Sequence, residues 1–359
     1  MRKYLILATT ALLFAACSND VEVGKTVEKE APVPIRLGTS MQVNSTRSIS
    51  QTLQATELAD GASVGVYIYQ NGQTTTSSGY GYKNVSYTAQ NPTTLPSGAS
   101  AGDLQLVTST DQPYFPEDKS KTIDIYAFSP RTNIYASTAE LSTLTAQDVF
   151  ATKPDQTTDA NYLASDFVWG KAAGVTYTEA SSTTSRILVT MDHMLSKVNV
   201  NIAPGTGMTL DKLDKAKITL NGVVLGGTVN FTTGAVSKRT GSTASSVILS
   251  TAVDKTKTTS FSDGGTPATN YTACTSSAVI IPQSIAASNT FITINLWDAT
   301  ANSGAGAYTT AYNVKTTAAT TFAAKTVYTY NIIVNTQGLS LTTTINDWTT
   351  GSTTNGTAE

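Results

Sequence analysis

Histidine, cysteine and charge are all scarce in this chain. One histidine, His193, and two cysteines, Cys17 and Cys274, occur among 359 residues. A zinc site needs clustered His and Cys ligands, which one histidine and one distant cysteine do not supply. A catalytic triad needs an activated nucleophile beside His193, and no G-x-S-x-G stretch is present. Only 13% of residues are charged and the net charge is −2. That balance offers no basic stripe for a nucleic acid and no polybasic contact with a membrane. A glycine-rich phosphate loop is also missing. The carboxylates show no suggestive pairing: Asp111, Glu117 and Asp118 sit in a Pro-rich turn, and Asp254 and Asp263 read as loop residues. A glycosidase pair assembled from distant strands is the one enzyme reading left standing. The expectation is a protein that is not an enzyme, with no metal and no cofactor.

What is present begins at the amino terminus, MRKYLILATTALLFAACSND. Arg2 and Lys3 precede an apolar run, residues 4–16, that is too short to cross a bilayer as a stable helix. The run ends in Phe14-Ala15-Ala16-Cys17, the pattern of a bacterial lipoprotein cleavage site. Residues 1–17 therefore read as a lipoprotein signal peptide, with Cys17 as the lipidation site. An acylated Cys17 would tether the chain to a membrane without spanning it. Cys274 then has no partner within the chain, so it reads as a small buried side chain and not half of a disulfide. Residues 18–33 form an acidic, Pro-bearing tether, whose Asp20, Glu22, Glu28 and Glu30 resemble a loose surface-export signal.

Beyond the tether the composition is dominated by Thr, Ser, Asn and Gly, with 16 Tyr. Thr and Tyr suit a pleated, half-buried surface and Gly with Asn supplies turns, so the fold class is all-β. The first strand is plain: Ile35, Leu37, Thr39, Met41 and Val43 alternate with Arg36, Gly38, Ser40 and Gln42. A polar stretch holding Arg47 follows, and then SVGVYIYQ runs into an Asn71-Gly72 turn. TIDIYAFSP, DFVWGKAAG, RILVTMDHMLSKVNVNI, KITLNGVVLGGTVNF, AVIIPQ, FITINLWD, VYTYNIIVN and LSLTTTINDW continue the series. Residues 209–217 are the single helical candidate. His193 shares strand parity with Ile187, Val189, Met191 and Leu195 and points to a buried face as a hydrogen-bonded core histidine. Trp169, Trp297 and Trp348 fall in or beside strands and read as core residues, not as a sugar platform. About 310 residues of folded chain favour two β-sandwich domains, residues 34–184 and 185–359, parted by the polar loop at 179–185.

These motifs, in this order, resemble the fimbrillin family, the Mfa-like lipoprotein pilins of type V pili. The resemblance rests on the acylation cysteine, the acidic tether, the first strand with an arginine after it, PYFPEDKSKTIDIYAFSP, DFVWG, DHMLSKVNVNI and VYTYNIIVNTQGLSLTTTINDW. It runs from Cys17 to about Trp348. It implies two tandem transthyretin-like β-sandwich domains and no catalytic centre. It also implies a precursor anchored as an outer-membrane lipoprotein and a mature form in an extracellular fimbrium at the cell surface. In the family a trypsin-like surface protease cuts after an arginine in the loop behind the first strand. That strand leaves, and a C-terminal strand of another pilin subunit fills the groove. Arg47 matches the cut position, with Ser48 as the new amino terminus. Arg36 competes, but lies within the strand, where pairing shields it from a protease.

A replacement strand must match the lost one at every second residue, since a one-residue slip turns the wrong face inward. Ile35, Leu37, Thr39 and Met41 have a counterpart in Leu339, Leu341, Thr343 and Ile345, within a candidate donor segment 338–349. Burying three such apolar side chains is worth on the order of 5 kcal/mol, with the backbone ladder added. The same alternation also describes an ordinary last strand, and the two readings stand side by side at this point. The alternative to a polymerising subunit is a surface lipoprotein that binds a glycan or host ligand through its loops.

Overall fold

The computed structural model describes residues 31–41, 57–91, 102–131, 139–144, 150–177, 186–265, 267–347 and 353–356. Cys17, Val43, Arg47, Ser48, Trp348 and the 179–185 loop lie outside the described residues. Contacts divide the chain into Met1–Pro32 and Val33–Glu359, and all the strands belong to the second unit.

Period-2 alternation becomes strand wherever one face can be buried. The first eight strands are β1 (Leu37–Met41), β2 (Ser63–Gln70), β3 (Gly81–Gln90), β4 (Asp103–Leu106), β5 (Ile123–Ser129), β6 (Phe150–Ala151), β7 (Val168–Val175) and β8 (Ile187–His193). All but β6 form one sheet in the order β1-β4-β3-β2-β5-β7-β8, closed on itself because β1 also pairs with β8. Its interior holds Leu37, Val64, Val66, Ile68, Val85, Ile123, Ile125, Val189 and Met191.

The following strands are β9 (Ser196–Pro204), β10 (Lys217–Val223), β11 (Gly226–Val229), β12 (Val236–Lys238), β13 (Ser245–Ser250), β14 (Thr258–Ser262), β15 (Asn270–Ile280) and β16 (Gln283–Ile285). They continue as β17 (Thr290–Asp298), β18 (Ala307–Lys315), β19 (Thr320–Phe322), β20 (Thr326–Asn335), β21 (Gly338–Asp347) and β22 (Thr353–Gly356). A six-stranded sheet, β14-β15-β9-β20-β21-β22, faces a four-stranded sheet, β13-β10-β17-β18. Val198, Val200 and Ile202 of β9 meet Ile218, Leu220, Ile292 and Ile294 across the gap. This is a β-sandwich, and the all-β expectation holds. Cys274 is a free, buried thiol in its core.

β2 and β5 are buried on both faces, which is why SVGVYIYQ and IDIYAFS read as nearly unbroken apolar runs. Val64, Val66 and Ile68 fill the barrel, while Tyr67 and Tyr69 join Tyr126 and Phe128 outside it. There they meet Phe150, Tyr162, Phe167, Phe231, Val279 and Val327, so a third core ties the barrel to the sandwich. The chain crosses between the two through Met194 and Leu195, both buried in that cluster, and the Met194 N–H donates to the Phe167 carbonyl at 2.9 Å.

Among the described residues two α-helices interrupt the strands. α1 (Asp159–Ser165) has no counterpart among the sequence expectations. Thr158 caps it by accepting from the Asn161 N–H, Asp159 favours its first turn, and buried Tyr162 anchors it. α2 (Leu210–Leu213) is a single turn within the expected 209–217 helix. It stops because Lys215 adopts φ 61° and β10 starts at Lys217.

The Asn71-Gly72 turn is held from below by Asp124. Burial alone raises the pKa of this carboxyl, but Lys171 at 2.9 Å and the N–H groups of Gly174 and Gly72 at 2.9 and 3.2 Å outweigh it. The net shift is downward. A depressed folded pKa stabilises fully above the ordinary carboxylate value near 4, and that contribution is lost as pH falls through the shifted value. Asp124→Asn should therefore lower stability by about 2 kcal/mol at pH 7. Denaturant unfolding at pH 7 and below pH 4 should show the gap from the unmodified chain shrinking in acid.

Candidate functional site

The alternation of residues 35–41 places every second side chain inside the barrel. Ile35, Leu37, Thr39 and Met41 are 1%, 3%, 1% and 4% exposed, whereas Arg36 faces solvent and Ser40 is half-buried. β1 lies parallel to β8, from Leu37 opposite Ile187 to Met41 opposite Met191. On its other side a single pair, Gly38 opposite Asp103, joins it to β4, and the Thr39 N–H donates to the Gly102 carbonyl at 2.7 Å. Gly102 has φ 79°, and its α-carbon faces the Thr39 carbonyl so closely that a side chain there would collide with it.

The approach to β1 is gripped as well. The Ile35 N–H donates to the Pro113 carbonyl and the Phe115 N–H to the Val33 carbonyl, each at 2.9 Å. Gln112 reaches over with Nε2, which donates to the carbonyls of Ile35 and Pro113 at 3.1 and 2.8 Å. The QPYFP stretch thus forms a short antiparallel clamp. Prolines 113 and 116 interrupt further pairing, so the clamp stays two bonds long. Removing β1 would expose the edges of β4 and β8 and the apolar floor between them, an open template for another strand.

The candidate donor is β21. It pairs antiparallel with β20 along its whole length, from Gly338 opposite Asn335 to Asp347 opposite Thr326, and β22 pairs on its far side. In this structure it is therefore a strand of the sandwich. Leu339 and Leu341 are only partly buried against the sandwich core, in contrast to the enclosed side chains of β1. The side chains of Thr343 and Ile345 lie outside the described residues.

Other residues singled out in the sequence take structural places. His193 is 6% exposed, and its Nδ1 lies 2.9 Å from Asp166 Oδ1. Trp169 is half-buried over Gly234 and its Nε1 donates to the Phe231 carbonyl at 2.8 Å. Trp297 packs on Gly306 and edge-on to Tyr308, with ring centres 5.1 Å apart. Asp118, Asp254 and Asp263 cap their own turns, and those hydrogen bonds lower their pKa values. Among the described residues no group of three or more His, Cys, Asp or Glu side chains is placed to hold a metal ion. Likewise, none of their helices is long and apolar enough to cross a membrane.

Sequence reasoning missed Gly38, Gly102, Asp103 and Arg186, which frame the strand. A glycine inside an alternating strand is the one available signal, since it marks close approach of a neighbour. Nothing in the sequence connects Arg186 to it.

A family model described as fimbrillin-like matches residues 46–348. Among solved structures, a candidate cell adhesion protein from Bacteroides ovatus superposes with a TM-score of 0.57 at 16% identity, covering 90% of this chain and 100% of that one. A second candidate cell adhesion protein, from Bacteroides uniformis, gives 0.53 at 18% identity, covering 88% and 98%. At these identities the likeness is one of fold. No curated protein matches the chain significantly in sequence.

Truncating the first side chain of β1, Leu37, which is 3% exposed, tests how much the seat holds. Leu37→Ala should cost about 3 kcal/mol by chemical denaturation. Amide exchange in β1 and β8 should accelerate more than in β9 or β20, because the loss falls on the barrel.

Proposed function

The chain belongs to the fimbrillin-like family, and on that premise we propose that it is a structural or adhesive pilus subunit which polymerises by strand exchange. It is exported as a lipoprotein acylated at Cys17 and reaches the cell surface, where a trypsin-like protease cuts after Arg47. A two-domain organisation, residues 34–184 and 185–359, is part of this reading.

One observation carries the reading: the most enclosed short strand of the barrel is also the one nearest the amino terminus. The covalent link between β1 and the rest of the fold runs through the segment that contains Arg47. A cut there leaves β1 held by one five-residue ladder, one pair to β4 and a two-bond clamp. Its covalent tie is gone, so its departure depends on a local equilibrium and no longer on global unfolding. The vacated seat then takes a strand from another subunit, by addition to an open sheet edge. Leu339 and Leu341, the two apolar β21 side chains among the described residues, are only partly buried against the sandwich core, which suits that end of the strand to leave its sheet. The packed settings of Trp169 and Trp297 give no support to a glycan platform built on those rings.

Fimbriae sheared from intact cells should yield this chain with Ser48 at its amino terminus, read by mass and N-terminal sequencing. Arg47→Gln should leave the precursor unprocessed and absent from the sheared fraction. Recovery of assembled material that begins at acylated Cys17 would overturn the strand-exchange route and favour an anchored, non-polymerising surface protein.

A further inference from the structure

Gly38 is the second residue of β1, with Asp103 of β4 on one side and Leu188 of β8 on the other. Arg186, one residue before β8, lays its side chain across β1, and its Nη1 donates to Asp103 Oδ1. The two flanking segments are thus joined over the outer face of the strand between them. A Cβ built on residue 38 would stand 2.5 Å from Arg186 Cδ, 2.8 Å from its Nε and 3.1 Å from Leu188 Cδ2. Backbone alone fits beneath this bridge. Any side chain at that place pushes the arginine away from its carboxylate, a movement its flexible end permits at the expense of the ion pair.

We propose that Arg186 and Asp103 form a clasp that makes the seat selective for an extended segment with glycine at the Gly38 position. The proposal rests on the strand-exchange reading above. The chain's own β1 meets the requirement, with Leu37 and Thr39 buried on either side of the glycine. The chain's own C-terminal segment does not. With Leu339 in the place of Ile35, Thr342 falls where Gly38 lies. A slip of two residues either way brings Ser340 or Thr344 there instead. The register that delivers Gly338 puts Gln337 in the buried place of Leu37. The strand that closes the clasp therefore comes from a different subunit, one whose segment reads apolar, polar, apolar, glycine, and not from a second copy of this chain.

Two measurements test this. In the intact chain, Gly38→Ala should speed β1 amide exchange about fivefold, and should have little effect when Arg186→Ala is already present. Asp103→Asn, which keeps shape and removes the charge, provides a second background in which the glycine effect shrinks. Equal effects of Gly38→Ala in all backgrounds would overturn the clasp. The second measurement uses the full chain cut at Arg47 with trypsin, freed of its first strand, and two labelled peptides. One peptide has the sequence of residues 338–347 and the other carries Thr342→Gly. The glycine peptide should bind about fivefold tighter, and the difference should vanish with Arg186→Ala. Equal binding to the unmodified chain would overturn the selectivity. Failure of both peptides to bind would overturn the strand-exchange premise and the partner assignment with it, while the exchange cycle still decides the clasp.

Discussion

β1 reaches its place between β4 and β8 from the amino-terminal end of the chain. Its parallel ladder with β8 joins segments some 150 residues apart, as the contact of Ser40 with Thr190 shows. Parallel pairing cannot be made by a local hairpin, and long loop closure delays it in folding. The barrel is thus completed by a strand that is remote in sequence from its parallel partner. Without β1 the sheet would have two open edges and an apolar interior facing water. The same geometry recurs in the sandwich, where β9 runs parallel to β20. There, however, β9 is internal to the sheet and flanked along its length by β15. Only in the barrel is the parallel partner a piece that one cut of the backbone could set free.

The rest of the fold stiffens this seat from behind. Because β2 and β5 are buried on both faces, the barrel wall opposite the solvent is pressed between two cores. Aromatic rings dominate the outer one, with Phe128 and Phe231 edge to face at 5.0 Å and Phe167 beside both. Such packing resists local opening, so the barrel keeps a rigid wall on the side that meets the sandwich.

Burial separates the two strands that the sequence pattern equates. Residues 35–41 and 339–345 share the same order of apolar and threonine positions. β1 is enclosed on its inward face, whereas β21 leaves Leu339 and Leu341 partly open and sits one strand from the sheet edge. Alternation reports which side chains face inward. It does not report how completely the opposite layer covers them, and that coverage sets the free energy of each strand in its place.

The chain's own residues make the class legible. Thr, Tyr and Gly content, the alternating runs and the Asn-Gly turn identify an all-β protein, and parity alone sends His193 and the β1 residues inward. Those signals survive because period and propensity are local. α1 escapes notice because its cap, Thr158 with Asp159, opens a helix too short to show periodicity. The closure of the barrel, the two-faced burial of β2 and β5 and the Arg186–Asp103 bridge over Gly38 come from the tertiary structure. Each joins residues far apart in the chain, and pairing at such separations depends on which complementary edges meet in space, which no local pattern encodes.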